Sequence, residues 1–236
     1  MTAEAESPAE VSAEPVVVPA PAAVALWDLP VRVVHWGFVA LLPAMWATAE
    51  FGEMSLHRTL GYVALGLLIF RLYWGFAGSS TARFASFVRG PRAVIAYLRS
   101  GMQAIGHNPL GALSVIALLS LLGLQIGLGL FAQDTDGLFA GPLAGLVSYE
   151  TSDAATELHE TLFNLLLAFV VLHIAAVLFY LLVRRDNLVG PMVTGRRRIE
   201  TDMPPQIAPA SRAIVGILLS AAITVWIAFG CPPFTV

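Results

Sequence analysis

Four of the five histidines, His35, His57, His159 and His173, lie in or at the edges of long apolar runs. An ionisable side chain in a bilayer interior is costly and marks a functional site by default. His159 and His173 share one apolar run that extends to Val183. Fourteen residues of helix span about 21 Å. They also return the side-chain direction to within about 40°. One helix therefore presents two imidazoles on nearly one face at two depths. Other helices must supply their partners.

Composition identifies those helices as membrane spans. Hydrophobic residues make up 57% of the 236-residue chain and charged residues 12%, against about 25% charged in a soluble domain. Apolar runs at about 31–49, 57–76, 109–132, 158–183 and 213–229 are long enough to cross a hydrocarbon core. Trp27, Trp36 and Trp46 flank the first run as expected of interfacial anchors. Residues 82–105 alternate apolar side chains with Arg83, Arg89, Arg92 and Arg99, the pattern of an amphipathic interfacial segment. Residues 1–25 hold four Glu, no basic and no aromatic residue, which predicts a disordered acidic Ala/Pro-rich tail and no signal peptide. The single cysteine, Cys231, leaves no ligand set for an iron–sulfur cluster, a Cys-ligated zinc or a disulfide framework.

The basic residues orient the spans. All thirteen are Arg, and only Arg58 falls on the side opposite to the other twelve. Arginine accumulates on the cytoplasmic side. The N-terminus is thus expected inside and, after five spans, the C-terminus outside. His35 and His173 then lie near the cytoplasmic surface, and His57 and His159 near the outer one. Each level offers two imidazoles from facing helices, whereas zinc normally takes three or four protein ligands. A haem brings four equatorial nitrogens and needs only two axial ligands. With both axial positions filled, the chemistry favoured is outer-sphere electron transfer.

Several motifs carry a family resemblance. Trp27-Asp28-Leu29-Pro30-Val31-Arg32-Val33-Val34-His35-Trp36 resembles the first-helix signature of the bacterial cytochrome b561 family, which includes the b-type cytochrome subunits of nickel–iron hydrogenases. Leu56-His57-Arg58-Thr59-Leu60-Gly61-Tyr62, Gly106-His107-Asn108-Pro109-Leu110-Gly111, Leu158-His159-Glu160 and Arg184-Arg185-Asp186-Asn187-Leu188-Val189 continue it. The resemblance covers about residues 26–195. It implies an all-α integral membrane protein, a four-helix bundle with two haem b groups. Its axial ligands would be at His35, His57, His159 and His173, and it would move electrons between the quinone pool and a partner redox protein. The expected organisation is therefore a cytoplasmic tail at 1–25, a di-haem cytochrome b domain at 26–195, and a basic linker with an extra fifth transmembrane helix at 196–236.

Four further residues are candidates for cofactor binding. Arg32, Arg58 and Arg71 lie at helix ends on the two haem levels, where Arg is suited to pairing with a propionate. Arg58 is favoured because it adjoins His57 and is the one outer cation; snorkelling interfacial arginines fit the same pattern. His107, at the cytoplasmic edge, is a candidate to bond a quinone or a propionate, or is an exposed loop histidine. Gly123 and Gly127 have the spacing for close approach by a helix or a porphyrin face. Asp134, Asp136, Glu150, Asp153 and Glu157 make the outer loop acidic, which suits a basic partner such as a periplasmic c-type cytochrome; the exclusion of Arg from the outer side leaves the same acidic surface. The expected setting is the bacterial inner membrane, with lipid and quinone as partners and no nucleic acid. Two other readings remain open: a non-enzymatic haem-bearing anchor subunit, and a stand-alone superoxide:quinone oxidoreductase, which the acidic outer loop disfavours. If the chain is an enzyme, it is a quinone-linked oxidoreductase.

Overall fold

The computed structural model describes residues 22–100, 106–134, 138–199, 201 and 203–233. The chain is mostly helical, and five helices among the described residues are long and apolar enough to cross a membrane. They are α1 (Leu29–Glu50), α2 (Met54–Ala77), α5 (Pro109–Phe131), α6 (Tyr149–Leu182) and α8 (Ala210–Ala228). The short helices α3 (Phe84–Phe87) and α4 (Pro91–Ser100) occupy the connection between the second and third spans, and α7 (Val189–Thr194) follows the fourth.

Local chemistry explains where the spans begin. Asp28 caps α1, its side chain accepting from the Val31 N–H at 2.9 Å, and Pro30 fits the first turn, where no donor is needed. Asn108 and Pro109 repeat the device at α5, with the Gly111 N–H bonded to Asn108 Oδ1 at 2.7 Å. Ser148 caps α6, with Glu150 in its first turn where a negative charge suits the helix dipole. This cap starts α6 nine residues before the apolar run, so the expected outer loop at 133–157 is helical from Tyr149 onward. At 34 residues α6 is about 51 Å long, more than a hydrocarbon core of about 30 Å. His159 accordingly lies in its third turn.

The packing order follows the connections. Only residues 51–53 separate α1 from α2, so the two pack antiparallel and carry His35 and His57 at opposite ends. Helix α5 packs along α6 and touches α2, while α8 lies on α2. The last contact is close because Gly216 has no side chain: a Cβ there would stand 2.6 Å from the Tyr73 ring. Large apolar side chains such as Val39, Leu167, Val171 and Leu218 face outward, as lipid requires. The interior centres on Trp74, 1% exposed, with Leu26, Val34, Phe38, Leu68, Phe70, Leu122 and Leu166 around it.

Two expectations are corrected at the Arg-rich end. Residues 22–25 do not belong to a disordered tail: β1 (Ala22–Ala25) pairs antiparallel with β2 (Arg196–Ile199), Ala22 opposite Ile199 and Ala25 opposite Arg196. Backbone pairing needs no particular side chain, so composition gave no sign of it. The rest of the tail, residues 1–21, lies outside the described residues. Trp27 is not a lipid-facing anchor but is buried, its ring 4.6 Å from that of His107. The strand pair explains this, since the Leu26 and Trp27 N–H groups donate to the Gly195 carbonyl and draw the start of α1 inward.

Candidate functional site

The structure brings the four span histidines together in two pairs. His35 of α1 faces His173 of α6 with ring centroids 6.5 Å apart, and His57 of α2 faces His159 of α6 at 6.3 Å. The rings are inclined by 58° and 80°, so neither pair is stacked. A metal–nitrogen bond of about 2.0 Å on each side, plus roughly 1 Å from nitrogen to ring centre, sets trans imidazoles about 6 Å apart. Both centroid separations are close to that distance. Among the described residues no group of three or more His, Cys, Asp or Glu is arranged to hold a metal. Each pair therefore suits a centre that brings its remaining ligands with it, as a porphyrin does.

Hydrogen bonds orient the rings. His57 Nδ1 lies 2.9 Å from the Met45 carbonyl oxygen, and His159 Nδ1 lies 2.8 Å from that of Gln125. A carbonyl only accepts, so each Nδ1 carries the proton and each Nε2 keeps its lone pair for a metal. His173 Nδ1 is 3.2 Å from Ser114 Oγ. His35 Nδ1 is buried and has no hydrogen-bond partner among the described residues. Gln125 also donates its side-chain Nε2 to the His159 carbonyl at 3.0 Å, so residues 125 and 159 clamp each other in both directions.

Gly129 completes the outer level. A Cβ there would meet His159 Cε1 at 2.9 Å and Nδ1 at 3.2 Å. Of the glycines singled out in the sequence, Gly123 makes only ordinary contact with Leu68, and a Cβ at Gly127 would meet nothing within 4 Å.

The remaining candidates separate. Arg58 is exposed although it adjoins His57, because successive helical residues point about 100° apart. Arg71 is 6% exposed, lies over the Phe84 ring at 5.1 Å, and makes a 3.5 Å hydrogen bond to the Ala82 carbonyl. Asp28 is nearby, but its two oxygens accept from the Val31 N–H and the Trp74 Nε1–H. Arg32 donates to the Val193 carbonyl at 2.6 Å and keeps a buried, unpaired Nε. His107 is packed between Trp27 and Phe87, with a buried Nδ1 that has no partner among the described residues. Burial, followed by the charge of Arg71, pushes its pKa down to about 4, so it is neutral at pH 7. It lines a cavity of about 400 Å³ with Ser80, Thr81, Phe87, Met203 and Gln206.

Sequence reasoning missed Met45, Ser114, Asp28, Trp74 and the ring-orienting role of Gln125. Ser114 and Gln125 carry a usable signal, being polar residues inside an apolar span. Met45 acts through its backbone, which leaves none.

These features define a multi-pass helical membrane protein with paired histidines between its helices. The sequence model of the prokaryotic cytochrome b561 family matches residues 26–195, and the chain belongs to that family, as a b-type cytochrome. It is 27% identical over 221 residues to a protein of Azotobacter vinelandii described as a probable Ni/Fe-hydrogenase B-type cytochrome subunit, covering 77% of this chain and 91% of that one. A protein of Rhodobacter capsulatus with the same description is 24% identical over 218 residues, covering 75% of this chain and 82% of that one. No solved structure gives a significant match.

A b-type cytochrome holds haem b, which makes the Gly129 contact testable. Gly129→Val drives a side chain into the His159 ring and breaks its bond to the Gln125 carbonyl. Disturbing a partner that orients a ligand typically costs 10–100-fold in affinity. On the reading that His159 holds one of two haems, the expected result is at least a tenfold faster loss of part of the bound haem to an apo-myoglobin trap, with the remainder retained.

Proposed function

We propose that this chain transfers electrons across the bacterial inner membrane between the quinone pool and a partner redox protein. One haem b would be held by His35 and His173 and a second by His57 and His159. The observation that carries this reading is the pair of facing imidazole sets, 6.5 and 6.3 Å between ring centres, with Nδ1–H groups turned to the Met45 and Gln125 carbonyls. Helices α1, α2, α5 and α6 would form the di-haem bundle, with α8 added on the outside of α2. A haem whose axial positions are both filled supplies one-electron transfer.

The chain's own residues divide the other tasks. Arg71, buried beside Asp28, and Arg32, whose Nε is unpaired among the described residues, are suited to neutralise a propionate at the inner level. His107, neutral and facing a cavity, is suited to hydrogen-bond a quinone head group there without adding charge. Arginine placement supports a cytoplasmic setting for this end, with the N-terminus inside and the C-terminus outside. The relatives described as hydrogenase cytochrome subunits make a nickel–iron hydrogenase the favoured partner. Acidic Asp134, Glu150, Asp153 and Glu157 at the opposite end would also attract a basic periplasmic cytochrome.

Two measurements test the reading. A reduced-minus-oxidised spectrum of the purified chain, with a haem-to-protein ratio, should show two low-spin b haems. No Soret absorbance in a folded preparation would end the proposal. His107→Leu should slow quinol-driven reduction by about tenfold or more while the spectra stay unchanged, the size expected when a hydrogen bond to the reacting group is lost. Unchanged quinol kinetics would remove His107 from the quinone site.

A further inference from the structure

The geometry points to a binding site for one anionic phospholipid between the first turns of α1 and α8, with Arg196 of β2 against the phosphate and acyl chain running along the two helices. The site requires only that the chain spans a membrane, and it uses neither histidine pair.

The space exists because three helices meet without filling it. Helices α1 and α8 both pack along α2, and among the described residues they scarcely touch each other. Their first turns flank a cavity of about 430 Å³, which Trp74 of α2 also lines. Ala208, Ala210 and Ala213 line it too and are too small to close it. Its walls are fixed on both sides. The Ala208 N–H donates to Ser79 Oγ at 2.9 Å, and the Gly195 carbonyl accepts from the Leu26 and Trp27 N–H groups.

Charge in the lining favours an anion. The charged residues there are Asp28, Arg32 and Arg196. Asp28 is already engaged: its oxygens accept from the Val31 N–H and the Trp74 Nε1–H, and it lies beside the buried Arg71. Arg32 donates to the Val193 carbonyl at 2.6 Å, and its buried Nε has no partner among the described residues. Arg196 is exposed, and its guanidinium makes no hydrogen bond or ion pair among the described residues. Strand alternation turns its neighbour Arg197 the other way, where it pairs with Asp186 at 2.7 Å. Arg32 is also suited to a propionate, so Arg196 is the cation whose loss should register on the lipid alone.

Most of the remaining lining is apolar, which favours a lipid over a soluble anion. Leu29 and Ile207 border the cavity and are exposed. Val33 and Ile217, one turn further along α1 and α8 from Leu29 and Ala213, are exposed as well. A hydrated anion gains nothing from such walls, whereas an acyl chain leaves water against them. The volume suits a glycerophosphate group and the first part of a chain, with the rest lying along the helices.

Native mass spectrometry of the delipidated full chain in detergent, titrated with dioleoyl phosphatidylglycerol or dioleoyl phosphatidylcholine, tests the site. The parent should bind the first phosphatidylglycerol more tightly than phosphatidylcholine, by about fivefold or more. Arg196→Gln should weaken that first phosphatidylglycerol by about fivefold, the size expected of one arginine facing an anionic lipid, and leave phosphatidylcholine unchanged. Arg198→Gln, on the same strand but outside the cavity lining, should keep the parent affinity. Ala213→Leu, which fills the cavity, should weaken the first phosphatidylglycerol and not the later ones. Equal binding of the two lipids would overturn the inference, and so would equal losses in Arg196→Gln and Arg198→Gln, which mark diffuse surface charge. Displacement of the first phosphatidylglycerol by glycerol phosphate would overturn it in favour of a soluble phosphate. If Ala213→Leu does not accumulate, the two arginine variants decide alone.

Discussion

His159→Ala is expected to remove one of two low-spin b-type haem signals and halve the haem content, leaving the other signal at its parent position. The reason is geometric. His159 faces His57 at 6.3 Å between ring centres, and no group of three potential metal ligands exists among the described residues to replace it. The second pair uses His35 and His173, and His173 lies about 21 Å away along the same helix. If each pair holds a haem, removing one imidazole empties one level without touching the pair at the other. His35→Ala should give the complementary loss. Haem content by pyridine haemochrome, with low-temperature difference spectra, separates the two signals. A single haem that survives both substitutions would defeat the paired scheme. Loss of both haems from a chain that still folds would mean that the two levels assemble as one unit.

The largest stability effect is expected at Asp28, which holds no cofactor in this scheme. It is 7% exposed and its carboxylate serves three neighbours. Oδ1 accepts from the Val31 N–H and caps α1, and Oδ2 accepts from the Trp74 Nε1–H at 2.8 Å. Its charge also offsets the buried guanidinium of Arg71. Asp28→Ala removes a cap worth about 1 kcal/mol. It also strands a buried indole N–H at a cost of about 1–3 kcal/mol. The expected loss is about 3 kcal/mol, read as a lower midpoint of thermal or denaturant unfolding in detergent. Asp28→Asn keeps a capping oxygen and should lose less. An Asp28→Ala loss below about 0.5 kcal/mol, the scale of an ordinary surface change, would show that the Trp74 and Val31 donors find other acceptors.

Much of the architecture was legible in advance because a bilayer restricts the possibilities. Apolar runs of spanning length can only be helices or closed barrels there, and the structure has helices at all five. Helical periodicity put His159 and His173 on one face, and arginine asymmetry sorted His35 and His57 to opposite levels. Those two rules were enough to anticipate which rings meet. They did not reveal where α6 begins, because its first turns are polar and are specified by the Ser148 cap, not by hydropathy.

The sequence by itself thus determined a membrane protein and the positions of its spanning helices, which depend on composition and apolar runs, and its motifs carried the family. The tertiary structure decided which groups hydrogen-bond to the histidines. Met45 and Gln125 reach the imidazoles through carbonyl oxygens that every residue possesses. Likewise β1 meets β2 across more than 170 residues of chain through backbone bonds alone. Of the arginines at helix ends, the sequence favoured Arg58 over Arg71. Their difference, one exposed and one buried beside Asp28, exists only once α1 and α2 are packed. Backbone acceptors and burial have no letter in the sequence, and they appear only when distant segments share a space.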